Sequence, residues 1–353
     1  MRIAILAHDK FAPTDAKTAA CLLRYRRDEV VAVVDRSKAG TDAGAVIPWA
    51  TGVPVVASVK DAAALRPDAL FIGIAPVGGA LPADWRAELL DALRAGMDVV
   101  SGLHTFLNDD PALAEAARRV GRRIVDVRRP PVERRITTGE GALVDSLVVL
   151  TVGTDCSSGK MTATVELARE ARRRGLDAAF VATGQTGIMV GCDEGAPVDA
   201  IVGDFMAGEV ERMVLACAAR GKSPIFVEGQ GCITHPAYSG VTAALLHGAF
   251  PDLLVLCDEP ARDTLRFPCA RPFRTNPLPF EVRANEMLLE PTTGGKVAAL
   301  ALMTRGLSDA QAAQELRKAE AETGIPAADV YREGGVARIL DGVLDMAAKR
   351  GLL

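Results

Sequence analysis

The run Leu-Val-Val-Leu-Thr-Val-Gly-Thr-Asp-Cys-Ser-Ser-Gly-Lys-Met-Thr, ending at Thr162, constrains this chain more than any other segment. Its apolar half, Leu147–Val152, reads as a buried strand. A Gly-rich turn follows, and a helix then opens with Met161, Val165, Ala168 and Ala171 on one face. Successive backbone N–H groups and a helix N-terminus point at an anion in such a setting, and Lys160 adds positive charge. Ser157 and Ser158 add hydroxyl donors. Gly153, Thr154, Asp155, Cys156, Ser157, Ser158, Gly159, Lys160, Met161 and Thr162 are therefore the expected cofactor-binding residues. A plain strand-to-helix turn with a surface lysine would carry no ligand, but strand, loop, Gly-Lys and helix all agree here.

Two departures separate this loop from the common nucleotide-binding pattern. Five residues lie between Gly153 and Gly159, where that pattern has four. Met161 stands where Ser or Thr normally supplies a hydroxyl to Mg²⁺. Thr162 is one position on, roughly 100° round the helix, and is not a direct substitute. The loop is thus a strong signal for phosphate and a weak one for nucleotide hydrolysis.

The rest of the chain alternates short Val- and Ile-rich runs with helical patterns. Candidate strands are Ile3–Ala7, Val30–Asp35, Pro54–Ala57, Ala69–Ile74, Asp98–Ser101 and Arg123–Val127, then Ala178–Ala182, Pro224–Val227 and Leu253–Cys257. Leu81–Ala95, Pro111–Val120 and Val336–Lys349 read as helices, and Ser308-x-x-Gln311 as a capping box opening another. Such alternation predicts an α/β protein with parallel sheets covered on both faces. The boundaries expected are a Rossmann-like domain over 1–128, a Pro- and Arg-rich linker over 129–146, and a P-loop α/β domain over 147–353. His8-Asp9-Lys10-Phe11-Ala12-Pro13 after the first strand lacks the G-x-G-x-x-G fingerprint, so no dinucleotide is expected there. Gly78-Gly79 reads as a plain turn.

Composition removes other classes. The 353 residues carry a formal net charge of −4 and only 4% aromatics, so neither a nucleic-acid surface nor a base-stacking platform is expected. The seven cysteines show no C-x-x-C pair, which argues against a zinc site or a disulfide framework; no metal is expected. No run approaches a membrane span, and MRIAILAHDK is too short in apolar residues for a signal peptide. A reduced, cytoplasmic protein is expected. Its partners would be a small-molecule substrate and further copies of the chain, with neither nucleic acid nor membrane.

Gly-Thr-Asp-x-x-x-Gly-Lys resembles the phosphate loop of dethiobiotin synthetase, and Val227-Glu228-Gly229-Gln230-Gly231 is similar to that enzyme's Val-Glu-Gly strand end. Gly153–Met161, Val227–Gly240 (VEGQGCITHPAYSG) and the Arg-rich stretch after Asp258 together resemble the DgcN-like family, over essentially the whole chain. The resemblance implies an N-terminal Rossmann-like domain, a C-terminal P-loop domain and D-glutamate N-acetyltransferase activity with acetyl-CoA in amino-acid catabolism. The loop alone leaves open ATP with Mg, hence a carboxylate-activating kinase or ligase, or a nucleotide-binding regulatory protein.

Glu228 ends an apolar strand before a Gly-x-Gly turn, where ligands of parallel sheets collect, and is a candidate proton acceptor rather than a mere cap. His235 can accept the ammonium proton of an amino acid at neutral pH, although a lone histidine is often structural. Tyr238 and Ser239 are nearby hydrogen-bond donors for substrate. Arg262, Arg266, Arg271 and Arg274 are candidate forks for two substrate carboxylates, Arg262 and Arg266 sharing a helix face by their spacing; a solvated basic face is the plainer alternative. Gly184-Gln-Thr-Gly187 and Gly191 suit a close backbone approach, and Asp199 and Asp204 read as solvated acids. Cys156 sits near a helix N-terminus, a setting that lowers thiol pKa and would suit covalent acetyl-cysteine transfer, but no paired base is visible in sequence, so it reads as a small loop-lining residue.

Overall fold

Val, Ile, Leu and Ala dominate runs too short for buried helices, and these runs become two wholly parallel sheets. The computed structural model describes every residue except 14, 75–78, 80 and 268. Gly78 therefore lies outside the described residues. Gly79 has φ +64°, and a Cβ there would meet the His104 ring at 2.2 Å, so a turn built on glycine is required.

One unit comprises Met1–Pro130 with Ile188–Gly191. Its strands are β1 (Ile3–Leu6), β2 (Val30–Val34), β3 (Val55–Val56), β4 (Ala69–Ile72), β5 (Asp98–Ser101) and β6 (Ile124–Asp126). The order β3-β2-β1-β4-β5-β6 is that of a Rossmann-like fold. Helices α1 (Lys17–Tyr25), α2 (Val59–Ala63), α3 (Trp85–Arg94) and α4 (Pro111–Arg119) connect the strands. All four residues of β1 and of β4 are buried, as covering on both faces demands.

The second unit comprises Pro131–Gly187 with Cys192–Leu353. Its sheet runs β13-β12-β11-β7-β10-β8-β9. The strands are β7 (Val148–Gly153), β8 (Ala179–Ala182), β9 (Glu194–Gly195), β10 (Ile225–Val227), β11 (Leu253–Asp258), β12 (Lys296–Leu302) and β13 (Ala327–Ala328). The helices are α5 (Lys160–Arg173), α6 (Gln185–Val190, of which Gln185–Gly187 fall in this unit), α7 (Gly203–Ala218), α8 (Ser239–Ala249), α9 (Leu278–Leu289), α10 (Asp309–Thr323) and α11 (Gly335–Lys349). Ser308 and Gln311 form the reciprocal capping box that opens α10. α5 packs with α11 and α7 with α8. Val148, Leu150 and Val152 of β7 are at most 1% exposed, and each such burial contributes about 1.5–3 kcal/mol. β7 thereby holds a central, rigid position from which the phosphate loop departs.

Of the stretch expected as a linker, residues 131–146 belong to the second unit. Glu211 of α7 is buried and accepts hydrogen bonds from Thr137 Oγ1 (3.0 Å), Thr138 N (2.6 Å) and Gly141 N (3.0 Å). Burial works against its charge, but these donors prevail and lower its pKa.

Candidate active site

β7 ends at Gly153 because nothing larger fits: a Cβ there would lie 2.5 Å from Ser158 Oγ and 3.0 Å from Lys160 Nζ. The loop then turns through left-handed backbone at Ser157 (φ 58°) and Gly159 (φ 95°) before α5 starts. Alternating backbone hand of this kind makes a concavity of N–H groups, and the first N–H groups of α5 have no intrahelical acceptor. Thr154, Asp155, Ser158, Lys160 and Thr162 are buried; Cys156, Gly159 and Met161 are half-buried, and Ser157 is exposed. Lys160 Nζ donates to Asp155 O (2.7 Å) and Ser158 Oγ (3.3 Å). Burial pulls its pKa below the usual range, so an incoming anion would restore what desolvation removes. These residues fit a phosphate group.

Thr162 stands one position beyond Met161 at the start of α5. Its Oγ1 is engaged by the Tyr331 hydroxyl at 3.1 Å. The helix start is locked from below by Thr164 Oγ1, which donates to Lys160 O (2.8 Å) and lies 2.9 Å from Thr151 Oγ1. Thr151 Oγ1 in turn accepts from Gly229 N at 2.9 Å.

β10 lies beside β7 and delivers Glu228 next to this loop. Glu228 Oε2 accepts from Thr183 N (3.1 Å) and Gly184 N (3.4 Å). Burial raises its pKa to about 7, outweighing those two donors, with further upward pressure from Asp199 and downward pressure from Lys160. A carboxyl group poised there exchanges protons at neutral pH. Gly187 is forced by the same carboxylate, since a Cβ would sit 2.4 Å from Glu228 Oε2. The Gly184–Gly187 turn is thus the start of α6 and packs on Glu228. Asp199 acts on the site through Glu228, whereas Asp204 is exposed in the first turn of α7.

His235 is fully buried between Tyr238 and Phe267, with ring centroids 4.8 and 4.7 Å away. Its role as a proton acceptor needs correction at the atomic level. Burial lowers its pKa, so the ring is neutral at pH 7. Ala237 N–H donates to Nδ1 at 3.1 Å, which places the ring proton on Nε2. Nε2–H is a donor facing Asp155 Oδ1 at 3.5 Å, not a base. Ser239 N donates to His235 O (3.1 Å) as α8 begins, and Tyr238 is exposed beside the ring.

Buried Glu281 was not a candidate from sequence, yet it holds the His235 turn. It accepts from Thr234 Oγ1 (2.5 Å) and Asn276 Nδ2 (2.8 Å). Asp258, ending β11, similarly accepts from Thr154 Oγ1 at 2.6 Å.

The helix expected from Arg262 and Arg266 does not form. The described residues of 259–277 make an irregular excursion closed by a bridge between Thr264 and Arg274. Arg262 is turned inward: Nη1 donates to Asp155 Oδ2 and Cys156 O, both at 2.6 Å, and Nη2 pairs with Glu259. Arg266 gives its backbone N–H to Asp155 Oδ2 at 2.9 Å while its side chain is exposed. Arg271 is exposed over the Phe273 ring, and Arg274 is exposed. A cavity of about 150 Å³ opens on the β11 side, lined by Asp258, Arg262, Asn276 and Lys318 among others, but by none of Lys160, Glu228 and His235.

Comparison with known proteins agrees with this architecture. The family model described as "Domain of unknown function (DUF1611_C) P-loop domain" matches residues 135–340. Its companion, the DUF1611_N Rossmann-like domain, matches residues 36–130. A D-glutamate N-acetyltransferase of Tritonibacter scottomollicae is 36% identical over 334 residues, covering 93% of this chain and 94% of that one. Another, from a Pseudoalteromonas species, is 32% identical, covering 78% and 82%. The crystal structure of a DUF1611 family protein from Anabaena variabilis superposes with a TM-score of 0.90 at 38% identity, covering 98% of this chain and 99% of that one. The chain belongs to the DUF1611 family, with its Rossmann-like N-terminal and P-loop C-terminal domains.

Proposed function

We propose that this protein is an N-acetyltransferase that moves the acetyl group of acetyl-CoA to the amino group of D-glutamate, in cytoplasmic amino-acid catabolism. The observation that carries the reading is the likeness, 36% identical over 93% of the chain, to a protein named D-glutamate N-acetyltransferase. Acetyl-CoA supplies an activated thioester when bound. Lys160, Ser157, Ser158 and the N–H groups opening α5 would hold its phosphates.

An amine attacks an acyl group only as the free base, so the ammonium proton must go. Glu228, with a pKa of about 7, is the group suited to take it. His235 contributes a donor rather than an acceptor. Arg266, Arg271 and Arg274 are the arginines with exposed side chains to offer substrate carboxylates, with Tyr238 and Ser239 as further contacts. Arg262 serves the loop instead.

The P-loop itself favours a second reading, ATP-dependent activation of a carboxylate. Met161, which lacks the hydroxyl that usually meets Mg²⁺, weighs against it. A free-thiol assay with acetyl-CoA and D-glutamate in excess EDTA, without nucleotide, separates the two. Thiol release is expected; strict dependence on Mg·ATP would overturn the acetyltransferase reading.

A further inference from the structure

The phosphate loop carries a thiol that neither phosphate binding nor proton removal by Glu228 uses. Cys156 is half-buried at the loop's apex, while Cys217, Cys232 and Cys257 are buried. Burial pushes the Cys217 and Cys232 thiols up to about 11 and that of Cys257 up to about 12, which leaves them inert. Cys156 Sγ, a ring nitrogen of His235 and a carboxylate oxygen of Asp155 lie within 4.8 Å of one another. His235 Nε2 is fully buried and carries the ring proton, and the Asp155 Oδ1 that it faces at 3.5 Å does not complete a hydrogen bond with it. A buried donor left without an acceptor costs about 1–3 kcal/mol, so such a group is expected to serve a charge that appears nearby.

Two charges act on the sulfur: Lys160 favours an anion there and Asp155 opposes it. Asp155 is the one acid in the trio, and its charge is answered by the Arg262 guanidinium and the Arg266 N–H. Lys160 is near enough for its charge and that of Cys156 to favour each other. A metal ion among the same three atoms fits poorly. Bound at Nε2 it would shift the ring proton to Nδ1, against the Ala237 N–H, and Arg262 already occupies Asp155.

We propose that Cys156 is the acyl-accepting nucleophile of this protein, its thiolate held by His235 Nε2–H, so that transfer runs through an acetylated cysteine. The proposal rests on the acetyltransferase reading above. The Cys156 thiol first loses its proton to water. The thiolate forms a new C–S bond to the acyl carbonyl carbon of an acyl thioester. The bond to the departing thiol breaks, and that thiolate takes a proton from solvent. The neutral amine, left after Glu228 takes the ammonium proton, then forms the C–N bond; the C–S bond to Cys156 breaks, the second N–H proton passes to solvent, and the Cys156 thiolate is regenerated.

Acetyl-CoA is mixed with the full chain in the absence of any amino acid, quenched in acid, and analysed by intact mass and peptide mapping. One acetyl group is expected on the peptide bearing Cys156, removable by hydroxylamine and absent from Cys156→Ala. Labelled CoA should exchange into acetyl-CoA without amino acid, a wild-type measurement that does not depend on the variant folding. In the ligand-free chain, iodoacetamide should alkylate Cys156 roughly tenfold more slowly in His235→Ala, for loss of one hydrogen bond to a charged group. An unchanged alkylation rate would remove His235 from the proposal. Wild-type protein that releases thiol with D-glutamate yet shows neither adduct nor exchange transfers directly, and the nucleophile falls while the function stands. No thiol release with D-glutamate and no adduct would sink both.

Discussion

Arg262 reaches back across 107 residues to hold Asp155, its Nη1 2.6 Å from Oδ2. The same nitrogen bonds Cys156 O at 2.6 Å, so one guanidinium fastens two consecutive residues of the phosphate loop. This contact makes the excursion after β11 part of the loop's scaffold.

Removing that clasp should cost more than removing a neighbouring arginine. Arg262→Ala leaves the buried Asp155 carboxylate without its cation, a loss of about 3–5 kcal/mol. A fall in the urea midpoint is expected, and Arg262→Lys should restore it only in part, since an ammonium lacks the planar fork. Arg271→Ala should leave stability unchanged and raise KM for D-glutamate. Equal midpoints for all three variants and wild type would contradict the assignment.

Glu228→Gln should reduce kcat by ~10²–10⁴-fold, the usual contribution of a positioned base. Wild-type kcat/KM should climb with pH through about 7 as the carboxyl ionises, and this limb should vanish in the variant. Stability carries the same signature. The folded state holds the Glu228 proton up to about 7, whereas the unfolded chain releases it near the ordinary glutamate value of 4.5. Between those values the folded state binds more protons, so stability falls as pH rises. Glu228→Gln should therefore match wild type near the acid end of this window and exceed it at pH 8 by about 3 kcal/mol at most. Melting curves at both pH values test it.

Lys160→Met should weaken acetyl-CoA binding ~10–100-fold by calorimetry, the loss of one charge-assisted contact. Because burial disfavours the Lys160 charge in the free protein, the variant should melt no lower than wild type. Tight binding with a lowered melting temperature would assign Lys160 to structure alone.

Gly229→Ala places a methyl 1.7 Å from the Thr151 carbonyl oxygen, which is backbone of β7 and cannot retreat without parting β7 from β10. A loss of about 3 kcal/mol or more is expected, the upper range for overpacking. Gly184→Ala meets nothing closer than 3.5 Å and serves as the control. Similar urea midpoints for the two would mean that β7 and β10 yield more easily than their pairing suggests.

The sequence showed the strands up to β11 best where β-branched residues cluster, and the phosphate loop because strand, turn, lysine and helix fall within sixteen residues. β12 escaped because KVAALAL has only one β-branched residue, and β9 and β13 because each has only two residues and neither contains a β-branched one. The Arg262–Arg266 helix was inferred from spacing alone, which says nothing of the long-range contacts that draw Arg262 and the Arg266 backbone to Asp155. Glu228 and His235 were visible as residue types in a motif. Their chemistry was not: the raised Glu228 pKa comes from burial, and the His235 tautomer from one backbone N–H at Ala237. Contacts such as Arg262 with Asp155 depend on strand order, which no local pattern contains.

Glu211 gives the chain between the two sheets a consequence for dissection. Its buried carboxylate depends on three donors drawn from Thr137, Thr138 and Gly141. A fragment started at Val148 would strip all three away and convert an anchored anion into an orphaned acid with a raised pKa. Such a fragment should lose stability as the medium turns alkaline, while one started at Pro131 should not. The natural point of excision therefore lies seventeen residues before the first strand of the sheet it serves.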